Sequence, residues 1–209
     1  MEDQADNEME RALCDVRRAF RLLYDYNQRV RDVVAILADM LPGWSIQQTF
    51  SGTPISARRP VAGAWTSWDC APTIGWTFLF MSQQQSGQKS FEVCLALSFR
   101  ADTGYDDAED DDVDPGKLPP ADQCDSIVQL SCLTAPQDPN HDWMTIWHDT
   151  DFGEQANVFE PLIGARGVKA YWTQRRLVEL SDEAAVRKEF NAVFGQVFQA
   201  LKFRFTLNR

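Results

Sequence analysis

Apolar residues near the start of the chain recur at alternating intervals of four and three residues, which is the spacing of an amphipathic helix. The seam consists of Met9, Leu13, Val16, Phe20, Leu23, Asn27, Val30, Val34, Leu37 and Leu41. It corresponds to about 50 Å of helix at 1.5 Å per residue. Pro42 and Gly43 then end the pattern, as these residues commonly do at a helix terminus. The spacing predicts a long amphipathic helix within residues 1–43, followed by a domain at 44–209.

The seam is longer than one further helix of the chain can cover, which makes it a candidate dimerisation element. We expect the homodimer seam to contain Leu13, Val16, Phe20, Leu23 and Asn27. A competing interpretation is a monomer in which helix and sheet cover the whole seam. Asn27 falls at an a position of the heptad, where a buried Asn fixes register and strand number. The alternative, that Asn27 lies at the domain edge and meets water, stays open.

After Trp44 the period changes to two, which is typical of strands with one polar face. Strands are predicted at 44–50, 74–82, 90–100, 126–134, 143–149 and 168–180, with a turn at 83–89 between the second and third. Ser181 is the expected N-cap of a final helix, with Asp182 and Glu183 in its first turn. One long helix, five or six strands and one helix predict an α+β fold with an antiparallel meander sheet. The C-terminal helix is expected to pack on one face of that sheet.

Charge is concentrated in one segment of an otherwise mildly acidic chain of 209 residues with a net charge of −11. Eight acidic residues and no basic one lie between positions 102 and 114. We expect the surrounding loop, residues 101–125, to be mobile and to attract a basic protein partner. The candidate partner-binding acids are Asp106, Asp107, Glu109, Asp110, Asp111 and Asp112. A chain of this charge disfavours nucleic acid as the partner.

Neither a membrane span nor a secretory leader is expected. No apolar run reaches the roughly 18 residues that a transmembrane helix needs, and residues 1–10 are acidic without an apolar stretch. The five cysteines are odd in number and contain no C-x-x-C pair, which is typical of reduced intracellular thiols. A cytoplasmic protein is therefore predicted. Because Cys70 and Cys124 have acidic rather than basic neighbours, neither is expected to be a nucleophile.

Metal chemistry has little support in the residue pattern. His141 and His148 are the only histidines, beside Asp142, Asp149 and Asp151, and strand alternation would divide these side chains between two faces. The acidic run lacks the Gly and Glu of an EF-hand loop. The Glu-x-Lys pair of a common nuclease core does not occur in the sequence. No metal, cofactor or catalytic residue is therefore predicted.

Exposed tryptophan beside arginine is typical of protein interfaces, and Trp65 and Trp68 follow Arg58 and Arg59. These four residues are further candidates for partner binding, although the two rings could instead close the end of the core. The sequence favours a non-enzymatic cytoplasmic protein that engages a protein partner, as antitoxin and immunity proteins do. A metal-dependent hydrolase, or an inactive relative of a nuclease fold, is the alternative.

Overall fold

The computed structural model describes residues 2–51, 75–86, 89–105, 118–136, 142–148, 150, 152, 157, 160–161 and 168–201. The helices are α1 (Glu2–Met40), α2 (Trp143–His148) and α3 (Glu183–Leu201). The strands are β1 (Ser45–Ser51), β2 (Gly75–Ser86), β3 (Lys89–Arg100), β4 (Ile127–Pro136), β5 (Glu160–Pro161) and β6 (Lys169–Arg176). A long N-terminal helix, an antiparallel sheet and a C-terminal helix confirm the predicted α+β fold.

The six strands form one antiparallel sheet in the order β1-β2-β3-β4-β6-β5. The β2–β3 pair runs without a register shift from Gly75 opposite Arg100 to Ser86 opposite Lys89. Only two residues separate these strands, so the turn predicted at 83–89 is shorter than expected. The sheet is a meander as far as β4. β6 then pairs with β4, and the two-residue β5 lies outside it.

Alternate residues of the central strands create one large apolar face of the sheet, covered by α3 and the C-terminal half of α1. We call the buried residues on this side the front cluster: Val30, Val33, Val34, Leu37, Met40, Leu41, Phe80, Val93, Leu95, Leu97, Phe99, Val128, Leu130, Cys132, Tyr171, Leu180, Val186, Phe190, Val193, Phe194, Val197 and Phe198. Burial of a large aliphatic or aromatic side chain is worth about 1.5–3 kcal/mol. The front cluster is therefore the main stabilising unit.

The ends of the two covering helices are held by polar contacts. Arg187 of α3 donates to Asp39 of α1 at 2.7 Å and to Glu183 at 2.8 Å. The Asp182 carboxylate accepts from the Ala185 N–H at 2.8 Å, which makes Asp182 the N-cap of α3 instead of Ser181. Gly43, with φ +82°, lies in the turn between α1 and β1. This is a left-handed conformation that glycine adopts without a steric cost.

The strand predicted at 143–149 is wrong, because α2 occupies Trp143–His148. Asp142 initiates this helix, since its carboxylate accepts from the Thr145 hydroxyl at 2.9 Å and from the Thr145 N–H at 3.3 Å. Trp143 is buried in a second cluster, on the side of the sheet opposite the front cluster, together with Leu79, Cys94, Ala96, Leu133, Ala135 and Val168. Ile146 and Trp147 are half-buried against this second cluster. The spacing of 143, 146 and 147 is helical, whereas alternation through Thr145 would have required a strand.

Two strand ends and one short strand also differ from expectation. β6 ends at Arg176 and is followed by a single 3₁₀ turn at Leu177–Glu179, so the strand predicted over 168–180 is too long. β4 continues to Pro136, two residues past the predicted end. The short β5 was not predicted, since a strand of two residues has no recognisable period.

Both ends of the acidic loop, which is predicted to be mobile over 101–125, form hydrogen bonds with each other. The Thr103 N–H donates to the Asp125 carbonyl at 3.0 Å, and the Asp125 N–H donates to the Thr103 hydroxyl at 2.9 Å. The Ser126 hydroxyl donates to the Ala101 carbonyl at 2.6 Å. These bonds join the end of β3 to the start of β4. Residues 106–117, with the six candidate acids, lie outside the described residues.

Replacement of residues 106–117 by a short Gly/Ser linker should change the free energy of unfolding by less than about 1 kcal/mol, because loop closure depends weakly on length. Thr103→Val should cost about 1 kcal/mol, since the Asp125 N–H then loses an acceptor. Urea unfolding of both variants measures the two effects. A loss of several kcal/mol in the linker variant would show that the replaced segment contributes to the core.

Candidate interaction surface

The N-terminal half of α1 carries large apolar side chains that the rest of the described chain does not cover. The exposed fractions are 63% for Met9, 46% for Leu13, 50% for Val16 and 68% for Phe20, and Leu23 is half-buried. These five residues are called the exposed stripe. Residues 8–22 are exposed apart from the half-buried Cys14. Exposed apolar side chains aligned along one helix face are typical of a protein-binding surface.

The exposed stripe continues the same helix face that is buried farther along α1. Val30, Val34 and Leu37 continue the alternating spacing and are buried in the front cluster. One seam therefore serves an intramolecular contact at its C-terminal end and faces solvent at its N-terminal end. The transition lies between Leu23 and Val30, where α1 reaches the edge of the sheet.

Ion pairs within α1 stabilise the exposed half. Arg17 donates to Glu10 at 2.7 Å, and Arg18 donates to Asp15 at 2.9 Å. All four side chains are more than half exposed, and such pairs contribute at most about 1 kcal/mol each. The helix also contains no Gly or Pro. Local propensity and charge pairs thus support the helix where no core does.

The residues that flank the exposed stripe differ between its two sides. With Leu13 at position a, Glu10 and Arg17 occupy e positions, and Ala12 and Ala19 occupy g positions. One flank is therefore charged and the other has small side chains. Charge is also segregated along the helix: residues 2–10 contain five acidic and no basic residues, whereas residues 11–21 contain four arginines and one aspartate. The heptad lettering of the sequence would have identified these flanking residues.

Asn27 lies at the base of the exposed stripe and contacts the sheet. Its side-chain oxygen accepts a hydrogen bond from Trp76 Nε1 of β2 at 2.8 Å, and Asn27 is half-buried. Neither open interpretation had predicted this bond. Asn27 joins α1 to the sheet within one chain, so the candidate seam of Leu13, Val16, Phe20 and Leu23 ends before it.

Tyr26 lies beside Asn27 and packs against the front cluster. Its hydroxyl oxygen is buried, and no hydrogen-bond partner for it is present among the described residues. Burial raises the pKa of Tyr26 to about 12, because the phenolate would lose its hydration. The junction between the buried and exposed halves of α1 is therefore closed to water at this point.

The other candidate partner-binding residues are Trp65, Trp68, Arg58 and Arg59, together with Asp106, Asp107, Glu109, Asp110, Asp111 and Asp112. All of them lie outside the described residues. Of the candidate partner-binding and dimer residues, the structure describes only those on α1.

Three of the described thiols have properties opposite to those of a nucleophile. Burial raises the pKa of Cys94 and of Cys132. The pKa of Cys124 is raised by desolvation, and the adjacent Asp102 raises it further. Within the described ranges, no three His, Cys, Asp or Glu side chains are grouped closely enough to hold a metal ion. The backbone of His148 belongs to α2, while His141, Asp149 and Asp151 lie outside these ranges.

In a comparison with known protein families, the model of the family described as PM0109 matches residues 6–201. The chain belongs to the PM0109 family. The match includes most of α1, with the exposed stripe, so this segment is part of the family's shared region. No curated protein and no solved structure matches the chain. No helix in the described part of this PM0109 family member is long and apolar enough to cross a membrane.

Asn27→Leu should destabilise the chain by about 1–2 kcal/mol, because it leaves the half-buried Trp76 N–H without its acceptor. Trp76→Phe in the same background should cost less than it does alone, since the donor is then already unpaired. Urea unfolding of both single variants and the double variant measures the coupling. Additive costs would contradict a direct contribution of this hydrogen bond.

The raised pKa of Tyr26 predicts a loss of stability at alkaline pH. The folded chain keeps the phenol protonated up to about pH 12, whereas the unfolded chain releases this proton near the ordinary value of 10.0. This stabilisation is therefore present below pH 10 and declines as the pH rises towards 12. Tyr26→Phe should flatten the decline, as measured by urea midpoints from pH 9 to 12. Tyr24→Phe, at an exposed position, is the matched control and should leave the wild-type slope.

Proposed function

We propose that this protein is a non-catalytic, cytoplasmic binding protein that engages a protein partner through the exposed stripe of α1. The observation that carries the proposal is the exposure of Met9, Leu13, Val16 and Phe20 on a helix face whose continuation is buried. Full burial of such a side chain is worth about 1.5–3 kcal/mol. A partner that covers all four side chains gains apolar burial at each of them, and this gain opposes the cost of ordering the complex.

The proposed binding mode is helix against helix or helix in groove, because the apolar side chains recur at the intervals that a facing helix or an apolar groove requires. The sheet and α3 then act as the support that anchors the C-terminal half of α1. The polar flanks set the specificity of docking, since charged residues at the rim select partners more than they add affinity.

The acidic segment supports a second part of the proposal, which concerns a basic protein partner. Eight acidic residues between positions 102 and 114 create a local negative field, which accelerates encounter with a basic surface. A protein that neutralises a basic partner, in the manner of antitoxin or immunity proteins, fits this charge distribution. The hydrogen bonds between Thr103 and Asp125 fix the point at which this segment leaves the sheet.

The alternative of a metal-dependent hydrolase, or of an inactive nuclease-like fold, receives no support from the described residues. His148 lies in a helix and not on the predicted strand. The sequence also contains no Glu-x-Lys pair. We therefore retain the binding function alone.

The double substitution Leu13→Asp plus Phe20→Asp should abolish capture of the partner protein from the native host while leaving the unfolding midpoint almost unchanged. The reason is that both side chains are largely exposed in the single chain, so their loss removes little intramolecular burial. Affinity capture with wild-type and variant baits, with urea unfolding beside it, makes the comparison.

Leu22→Asp is the matched control, because Leu22 is 68% exposed but lies off the seam at a c position. This variant should capture the same partner as the wild-type bait. Equal capture by the double variant would overturn the assignment of the exposed stripe as the binding surface.

A further inference from the structure

We infer that the occupant of the exposed stripe is the same stripe of a second copy, packed antiparallel. This inference rests on the proposed function, since it identifies the partner of that surface. It depends on two features of α1: the heptad seam and the different chemistry of the two flanks.

The charged flank determines the orientation. In a parallel pair, e positions face g positions, so Glu10 and Arg17 of one copy would face the alanine flank of the other and form no ion pair with it. In an antiparallel pair, e positions face e positions, which brings opposite charges together. The arrangement is reciprocal, as a two-fold axis requires.

The four strongly exposed side chains of the seam select the register of the antiparallel pair. When the two-fold axis crosses α1 midway between Leu13 and Val16, each a residue meets a d residue of the second helix. Leu13 then packs on the partner's Val16, and Phe20 packs on the partner's Met9. Both layers occur twice, so all four strongly exposed side chains of the stripe are covered.

The flanks fit the same register. Antiparallel helices bring e positions opposite e positions and g positions opposite g positions. Glu10 therefore faces the partner's Arg17 on one side, and Ala12 faces the partner's Ala19 on the other. Two symmetric ion pairs replace the intrahelical Arg17–Glu10 pair, which measures 2.7 Å in the single chain. The alanine side allows close approach of the two backbones.

The geometry of the chain permits this arrangement. Val30, the first fully buried residue of α1, lies about 15 residues from the axis. The two folded domains therefore begin about 45 Å apart at 1.5 Å per residue. This separation exceeds twice the radius of gyration of about 15 Å expected for a domain of this size, so the sheets lie at opposite ends of the helix pair without steric overlap.

The test compares Glu10→Arg and Arg17→Glu, alone and mixed, by light scattering and sedimentation. Wild type should have twice the mass of the 23.8 kDa chain. In the antiparallel register, each variant alone places two like-charged pairs across the interface, so its dissociation constant should rise about tenfold. In an equimolar mixture, both e positions are basic in one variant and acidic in the other, so both facing pairs regain opposite charge. The mixed dimer should recover to within about threefold of the wild-type dissociation constant.

Two controls separate register from net charge. Arg11→Glu and Glu8→Arg make the same charge changes at exposed positions that lie off the seam, and each should change the dissociation constant less than about twofold. Far-UV circular dichroism verifies that every variant keeps its helix. A wild-type chain that stays monomeric at all concentrations overturns the inference. So does a dimer that single charge reversal leaves unchanged, or one that mixing does not restore.

Failure of this inference is distinguishable from failure of the proposed function. A photo-crosslinker placed at position 20 and activated in the native host reports the occupant by mass. An adduct of twice 23.8 kDa supports the second copy. An adduct of another mass alone overturns the second copy and leaves the binding function standing. No adduct at all overturns both.

Discussion

The apolar front face of the sheet must be covered, and one helix is too narrow to do it. Five spacings of about 4.8 Å make the six-stranded sheet about 24 Å wide, whereas a helix with its side chains covers about 10–12 Å. α3 supplies one helix, and the C-terminal half of α1 supplies the second. Val33, Leu37 and Met40 of α1 are completely buried for this reason. The packing of α1 against the sheet thus fixes the position of every other element on this face.

The same constraint explains where the exposed stripe lies. The part of α1 that covers the sheet begins near Tyr26, but the helix begins at Glu2. About 24 residues of helix, or about 36 Å, are not needed for the core. They nevertheless keep the apolar seam. A chain that needs only a solvated helix there would have polar residues on every face, so the retained seam supports the binding role proposed for this half of α1.

Much of this architecture could be predicted from the sequence, because its periods are long and regular. The heptad spacing of α1 and the alternation of β3 both extend over enough residues to exclude the other structure. The prediction for the segment that forms α2 was wrong because this segment has only six residues. Over that length, the polar Thr145 between two tryptophans fits both a helical and a strand period. The Asp142 cap favours the helix, because its local hydrogen bonds compete with strand pairing.

The candidate site was predictable only in part, for a similar reason. Leu13, Val16 and Phe20 share the spacing of the buried residues farther along, so sequence shows the seam but not where the sheet stops covering it. That boundary depends on the three-dimensional position of the sheet edge. The Asn27–Trp76 bond joins residues 49 positions apart, and no local pattern announces such a pair.

The proposed association would also make the integrity of the free half of α1 depend on the abundance of the protein. Within the described part of a single copy, this half is supported by its own backbone bonds and surface ion pairs, whereas most helical stability in proteins comes from packing of an apolar face. A frayed terminus is a substrate for proteases. Association would protect this terminus from proteases, because a covered helix unfolds less often. A sparse population of the protein would then be trimmed at its N-terminus, whereas an abundant one would protect itself.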